Sequence, residues 1–205
     1  QSIASSIHDH EIEVVNIQEL DPTIMVDLRY SSKNNFLKKD IYGDLEECFL
    51  RKEPAEMLCL ANKHLKESHP ELRLLVFDGL RTRSVQKKLW DALDTISLSE
   101  RTQFVADPEK GSIHNYGAAV DLTLSLENGL ELDMGTNYDH FGELAFPALE
   151  DSLLALGKLT DKQIENRRIL RKVMTKAGFS TIDSEWWHFD AFSYNETKNK
   201  YKIVE

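Results

Sequence analysis

The stretch Ser112-Ile113-His114-Asn115-Tyr116-Gly117-Ala118-Ala119-Val120-Asp121 brings an imidazole and a carboxylate to the start of a predicted strand. From Ala119 the chain alternates in a manner typical of a strand, with Asp121 on one face and apolar residues on the other. His114 and Asp121 are an odd number of positions apart, so on a straight strand they would point to opposite faces. Gly117 lies between them and predicts a turn that lets the two side chains converge.

A second cluster, Glu185-Trp186-Trp187-His188, supplies the complementary side chains. Together the two clusters offer one cation the imidazoles of His114 and His188 and the carboxylate of Asp121. Imidazole nitrogen combined with carboxylate oxygen suits zinc better than a site built from oxygen alone. Three protein ligands leave a fourth position for water, which is typical of hydrolytic zinc sites. The pattern therefore predicts a metallohydrolase with one zinc ion per chain.

The spacing within the second cluster also assigns roles. His188 belongs to the alternating series Trp186, His188 and Asp190, which favours it as the ligand. Glu185 lies at the margin of that series and is predicted to be the base beside the water. Trp186 and Trp187 flank the ligand on opposite faces, so we expect one in the core and the other in the wall of the pocket.

An arginine is predicted to complete the site. Arg81 ends an apolar strand immediately before a predicted helix, where a side chain can be aimed rigidly into a cleft. Arg83 is the alternative, and the position favours Arg81. Among the other histidines, His140 is the nearest competitor as a metal ligand.

The predicted elements indicate an α+β fold, with a central antiparallel sheet that carries the zinc site and helices packed outside. The Asn-Gly pair at 128–129 predicts a hairpin turn. Ser84 is expected to cap a helix, and Thr160 with Gln163 forms a capping box. The predicted elements are strands at 13–17, 24–30, 72–77, 119–124, 130–134, 179–182 and 186–190, and helices at 54–67, after Ser84, and from Thr160 to Gly178.

Composition narrows the class of partner. The chain has 205 residues and a formal charge of -10, which argues against nucleic acid or anionic lipid and favours a small substrate. No apolar run approaches the roughly 20 residues that would cross a bilayer. The length fits one domain over residues 1–205, with 1–12 loosely held, and Cys48 and Cys59 are expected to be free thiols. The chain starts at Gln1, which is expected if a leader was removed or the chain was trimmed. The compartment stays open between periplasm and cytoplasm.

At these residues the chain closely resembles the D-alanyl-D-alanine dipeptidases of the vancomycin-resistance type, within the zinc peptidases that include D,D-carboxypeptidases and hedgehog-like domains. The resemblance runs in order along nearly the whole chain. It is carried by Asp27-Leu28-Arg29-Tyr30 with Asn35-Phe36, Asp78-Gly79-Leu80-Arg81, the segment from Ser112 to Leu124, Met134-Gly135 with Tyr138-Asp139, Asn166-Arg167-Arg168 through Gly178-Phe179, and Glu185-Trp186-Trp187-His188.

The resemblance implies specific roles. It places His114, Asp121 and His188 on zinc, makes Glu185 the acid/base that activates the zinc-bound water, and sets Arg81 against the scissile carbonyl to stabilise the oxyanion. It further implies that a free D-Ala-D-Ala dipeptide is hydrolysed to D-alanine. The implied substrate contacts are Asp139 to the free amino group, with Ser112, Tyr30 and Trp186 shaping a small pocket.

The chain departs from the family pattern at three places. Arg81 is followed by Thr82 where the family usually has proline, Tyr138 replaces the usual phenylalanine before Asp139, and the segment 142–146 lacks an expected histidine pair. A D,D-carboxypeptidase acting on longer cell-wall peptides is the alternative enzyme. A metal-stabilised binding module without catalysis is the alternative from another class, and a protein with incidental His and Asp residues would bind no metal.

Overall fold

The computed structural model describes residues 13–102 and 104–205, and the segment 1–12, predicted to be loosely held, lies outside them. The strands are β1 Val14–Asn16, β2 Met25–Val26, β3 Phe49–Arg51, β4 Leu72–Asp78, β5 Ala119–Leu126, β6 Ser180–Thr181 and β7 His188–Asp190. The α-helices are α1 Ile17–Leu20, α2 Lys52–Ser68, α3 Arg83–Asp91, α4 Leu98–Arg101, α5 Glu150–Ala155, α6 Asp161–Lys176 and α7 Tyr194–Lys200. Short 3-10 helices cover Arg29–Ser31, Ile113–Tyr116, Glu143–Ala145 and Pro147–Leu149.

The described strands form a main sheet of five strands and a separate ribbon of two. The order in the main sheet is β2-β4-β5-β7-β6, and β1 pairs with β3 in the ribbon. β2 runs parallel to β4, while the other neighbouring strands of the main sheet are antiparallel. The predicted α+β fold with a central antiparallel sheet is confirmed, and the parallel edge strand is an addition to it.

Helices cover the sheet and bury its central strands. α2 packs against β4, α6 packs against β5, and the two helices contact each other. Leu122 and Leu124 of β5 are fully buried in the hydrophobic core under these helices. The alternation predicted for this strand therefore orients apolar side chains toward the core and Asp121 toward the opposite face.

The strand register lines up three polar side chains across the sheet. Asp78 of β4 pairs with Asp121 of β5, and Asp121 pairs with His188 of β7. Side chains of directly paired residues project from the same face of a sheet and lie close together. The register of β4 shifts between Val76 and Asp78, which is a bulge that re-aims the end of the strand. The sheet thus delivers two carboxylates and an imidazole to one place.

Local signals set the helix ends. Pro54 lies in the first turn of α2, where its missing N–H costs no hydrogen bond. Thr160 and Gln163 form the predicted capping box of α6. The predicted cap Ser84 is wrong, because Thr82 has the extended backbone of a cap and its hydroxyl accepts from the Val85 N–H. No helix in the described ranges is both long and apolar enough to span a membrane.

Two of the predicted strands are largely replaced by other structure. Only Met25–Val26 of the predicted strand at 24–30 pairs with β4, because the chain then turns into the 3-10 helix Arg29–Ser31, which buries Tyr30. The predicted return strand at 130–134 is reduced to a single bridge between Ser125 and Glu131. Its remainder leaves the sheet and docks on α6, where Asp133 accepts a hydrogen bond from Gln163.

Candidate metal centre and active-site cleft

Three side chains from two strands and a 3-10 helix meet at one point. His114 Nε2 lies 3.2 Å from Asp121 Oδ1 and 3.2 Å from His188 Nδ1, and His188 Nδ1 lies 2.9 Å from Asp121 Oδ1. His114 and Asp121 are buried and His188 is nearly so. Among the described residues, this group could hold a metal ion. The convergence predicted for these three residues is therefore present.

The local turn explains how His114 reaches Asp121. The 3-10 helix that carries His114 is closed at its start by a capping box between Ser112 and Asn115. It ends at Gly117, which has a left-handed backbone with φ of 72° and reverses the chain into β5. Glycine adopts this conformation at little cost, whereas other residues are strained in it. The turn predicted at Gly117 is confirmed.

Each histidine has one ring nitrogen engaged by an acceptor outside the cluster. His114 Nδ1 donates to the Gly79 carbonyl oxygen over 2.8 Å, and His188 Nε2 donates to Asp190 Oδ1 over 2.9 Å. In a neutral imidazole the other nitrogen then carries the lone pair, and in both residues that nitrogen faces the cluster. Such outer partners orient the ligating histidines of metal sites and fix their tautomers.

Neighbouring charged groups shift the pKa values of Asp121 and His188. Burial raises the pKa of Asp121, but the adjacent His114 and His188 imidazoles outweigh that effect and hold the pKa well below its usual range. Burial lowers the pKa of His188, but Asp190 and the contact with Asp121 raise it well above its ordinary value. Asp121 is thus a carboxylate under all ordinary conditions, which is the form that binds a cation.

The donor set and its spacing fit zinc. Two imidazole nitrogens and one carboxylate oxygen are ligands that zinc accepts at about 2.0–2.2 Å, and tetrahedral angles at that bond length put ligand atoms about 3.3 Å apart. The separations of 2.9 and 3.2 Å between the three donor atoms are close to that spacing. The cluster is therefore preformed for a small tetrahedral ion.

Glu185 stands beside this cluster without joining it. Its Oε2 is 4.0 Å from His188 Nδ1, and the side chain is partly exposed at the cleft. Burial raises the pKa of this carboxyl above its ordinary value. A carboxyl with a raised pKa is a stronger base than an ordinary glutamate, and this one lies beside the three converging donors.

Arg81 is buried and held by a carboxylate that the sequence did not single out. Its Nε lies 3.4 Å from Asp78 Oδ2, and its backbone N–H donates to the His114 carbonyl. Burial lowers the pKa of Arg81, but Asp78 raises it well above the ordinary value, so the guanidinium stays charged. Arg83, the alternative, forms an ion pair with Glu205 instead. The preference for Arg81 is consistent with its place in the cleft wall.

Asp139 and Tyr30 form a second polar pair in the cleft. The Tyr30 hydroxyl donates to Asp139 Oδ2 over 2.9 Å. Asp139 has a left-handed backbone with φ of 57°, an uncommon conformation for a residue other than glycine. Burial, together with the charge of Asp121, raises the pKa of Asp139 well above its ordinary value.

The cleft that these residues line encloses about 250 Å³. Ser112, Tyr30 and Asp139 lie in its wall, and their predicted contacts with substrate stay a prediction. Trp186 is a correction to the predicted pocket, because the wall is formed by Trp187. The chain bends at 186–187, which breaks the strand alternation that would have put Trp186 on the face of His188. Trp186 instead lines a neighbouring depression, and the indole N–H of Trp186 donates to Thr136. His140 lines the same depression and is not one of the three converging donors.

Three supporting residues were missed by the sequence reasoning. Asp78 contacts Arg81, Asp190 orients His188, and Tyr138 donates from its hydroxyl to Asp121 Oδ2 over 2.9 Å. Asp78 could have been found as a charged residue that ends an apolar strand. Asp190 has the same strand parity as His188 and could also have been found. Tyr138 was noted only as a departure from the family pattern, and no local pattern pointed to its contact with Asp121.

A buried cluster of two histidines and one aspartate, with a glutamate and a charged arginine in the same small cleft, defines the site of a metal-dependent hydrolase. The model of the peptidase M15 family, described as D-ala-D-ala dipeptidase, matches residues 10–203. The chain belongs to this family and is accordingly a metallopeptidase.

Known relatives agree with this assignment. The chain is 33% identical over 178 residues to the D-alanyl-D-alanine dipeptidase of Escherichia coli K12, covering 87% of this chain and 84% of that protein. It is 28% identical to the D-alanyl-D-alanine dipeptidase of Enterococcus faecalis V583, covering 80% and 83%, and 28% identical to that of Enterococcus faecium, covering 87% and 91%. A solved structure described as the LdcB LD-carboxypeptidase aligns with a TM-score of 0.46 and 20% identity over 91% of this chain and 71% of that one. That likeness bears on neither substrate nor mechanism.

Proposed function

We propose that the protein hydrolyses D-Ala-D-Ala to D-alanine with one zinc ion held by His114, Asp121 and His188. The observation that carries this proposal is the convergence of three donor atoms at tetrahedral spacing in a cleft that also presents Glu185 and Arg81. A zinc ion there would supply the Lewis acidity that acidifies a water and polarises the scissile carbonyl. The dipeptidase relatives support the choice of substrate.

Glu185 is the proposed acid/base. Its carboxylate takes a proton from the attacking water, and the resulting carboxylic acid passes a proton to the leaving amine as the peptide bond breaks. The raised pKa of Glu185 supports this role, because it makes the carboxylate a stronger base toward the water than an ordinary glutamate would be.

Arg81 is the proposed stabiliser of the oxyanion that develops on the carbonyl oxygen. A buried guanidinium acts in a low dielectric, where a fixed charge stabilises a developing anion more than it could in water. Asp78 supports this role because its carboxylate lies 3.4 Å from Arg81 Nε and raises the pKa of the guanidinium, which keeps it charged.

Asp139 is the proposed partner of the substrate's free ammonium group, with Tyr30 and Ser112 completing the small pocket. Burial raises the pKa of Asp139, and a cation beside it would lower that pKa and so favour the ionised carboxylate. A cleft of about 250 Å³ is below the usual range of roughly 300–1,000 Å³ for drug-sized ligands, which suits a dipeptide.

The proposed base is tested by Glu185→Gln, which keeps the shape of the side chain but cannot take a proton. We expect zinc content to stay at one ion per chain while kcat for D-Ala-D-Ala falls about 100-fold or more. Glu143→Gln, at an exposed glutamate, is the matched control and should keep full activity. Undiminished turnover by the Glu185 variant would remove this residue from the mechanism.

The substrate is tested with a panel of D,D-, L,D- and L,L-dipeptides, the N-acetylated D,D-dipeptide and a D,D-pentapeptide, each with and without chelator. We expect hydrolysis of the free D,D-dipeptide alone, abolished by chelator and restored by zinc. Equal cleavage of the pentapeptide would instead favour the D,D-carboxypeptidase. Bound zinc without hydrolysis of any peptide would favour the binding module.

A further inference from the structure

The hydroxyl of Tyr138 contacts one oxygen of the central carboxylate of the metal centre. It donates to Asp121 Oδ2 over 2.9 Å. The other oxygen, Oδ1, is the atom that faces His114 and His188, at 3.2 and 2.9 Å. The two oxygens of Asp121 thus have different partners. One oxygen points into the cluster and the other points to the phenol.

Aromatic packing holds the Tyr138 ring in place. The ring lies 5.2 Å from that of Phe77, 5.6 Å from that of Trp187 and 6.2 Å from that of Tyr30, measured between ring centroids. Such tilted and edge-on contacts fix the orientation of an aromatic side chain as well as burying it. The hydroxyl is therefore aimed at Asp121 by the ring's surroundings. Phenylalanine would fill the same space, so this packing does not require the hydroxyl.

A carboxylate can bind a cation through one oxygen or through both. A hydrogen bond to one oxygen competes with its use as a ligand and leaves the other available. We propose that Tyr138 is a positioning residue that keeps Asp121 a one-oxygen ligand and thereby sets the affinity and coordination number of the metal centre. This inference rests on the metal centre of the proposed function and adds a residue to which the proposed mechanism gives no role.

The test is Tyr138→Phe, with Tyr30→Phe as the matched control. Tyr30 also donates its phenol to a carboxylate over 2.9 Å, but that carboxylate is Asp139, which is outside the cluster. Zinc affinity is measured by competition with a chromophoric chelator, and coordination number by the visible absorption of the cobalt-substituted protein. Urea unfolding of the metal-free variants verifies that each one is folded.

We expect Tyr138→Phe to bind zinc about 10-fold more weakly, as is typical when a partner of a ligand is lost. Its cobalt spectrum should change toward a higher coordination number, because Asp121 Oδ2 becomes free to bind. Tyr30→Phe should match the wild type in both measurements. Wild-type affinity and an unchanged spectrum in Tyr138→Phe, or an equal loss in Tyr30→Phe, would overturn this inference while leaving the proposed function intact. A wild-type protein that binds no zinc would overturn both.

Discussion

The two histidines of the candidate metal centre differ in what orients them. His114 donates to a backbone carbonyl, that of Gly79, whose position is fixed by the strand end. His188 donates to the carboxylate of Asp190, a side chain two positions along the same strand. A neutral carbonyl fixes the tautomer, whereas a carboxylate also makes the imidazole more basic. The partner of His188 outside the cluster is therefore a replaceable side chain, whereas that of His114 belongs to the backbone.

A pH-dependent stability follows for the metal-free protein. Although burial lowers it, the pKa of His188 is raised well above 6.5 by Asp190 and Asp121, so the native protein holds this proton more tightly than the unfolded chain. That stabilisation is complete below about pH 6.5 and is lost as the pH rises through the native pKa. Asp190→Asn removes a main cause of the shift. Its destabilising effect should therefore be largest in acid and shrink as the pH rises.

The measurement is urea unfolding of the chelator-treated wild type and Asp190→Asn variant, from below about pH 6.5 upward. It gives the difference in unfolding free energy between the two proteins at each pH. Asp151→Asn is the control, because Asp151 is exposed and pairs with Arg168 rather than with a histidine. Its unfolding free energy relative to the wild type should be nearly flat with pH. An Asp190→Asn effect that is equally independent of pH would contradict the assigned ion pair.

At the scale of elements, the left-handed turn at Gly117 links the 3-10 helix of His114 to the strand of Asp121. An added Cβ there would be strained by the φ of 72° and would lie 3.3 Å from the Arg51 backbone nitrogen. Gly117→Ala should therefore lower the free energy of unfolding by about 1–2 kcal/mol. Because the turn sets the distance between His114 and Asp121, the two proposed ligands that it links, zinc affinity should fall as well.

Gly157→Ala separates backbone strain from ligand placement. Gly157 also has a left-handed backbone, with φ of 66°, but an added Cβ there meets nothing within 4 Å. We expect this control to lose stability in urea unfolding without losing zinc affinity in chelator competition. Equal zinc affinity in both variants would show that the turn at Gly117 does not position His114.

Among the elements, those set by local sequence patterns could be predicted, and those set by contacts between distant segments could not. The capping box of Thr160 and the first-turn proline of α2 are local patterns, so those helices were located correctly. The bulge at the end of β4 and the bend at 186–187 depend on contacts between distant segments, and short-range periodicity carries no trace of them. The convergence of His114, Asp121 and His188 was predictable, because imidazole and carboxylate side chains are recognisable by residue type. The orientation of Trp186 and the contact of Tyr138 with Asp121 were not predictable, because both depend on tertiary packing.

At the scale of the whole molecule, the metal centre joins parts of the chain that are far apart in sequence. His114 and Asp121 belong to the middle of the chain, and His188 lies on β7 near its end. The unfolded chain has no preformed site, so a cation that binds the cluster stabilises the folded protein by mass action.

Zinc should therefore raise the thermal unfolding temperature. Free zinc at about 1,000 times its dissociation constant stabilises a single site by about 4 kcal/mol, which for a chain of this size corresponds to roughly 10 °C. His188→Ala removes a proposed ligand and should abolish most of this response in calorimetry. His140→Ala should keep it, because His140 lies outside the three converging donors. The response of the His140 variant decides whether the stabilisation comes from the cluster or from histidines in general. If zinc does not change the unfolding temperature of the wild type, the three side chains do not bind an ion, although their ligand atoms lie within 4.8 Å of one another.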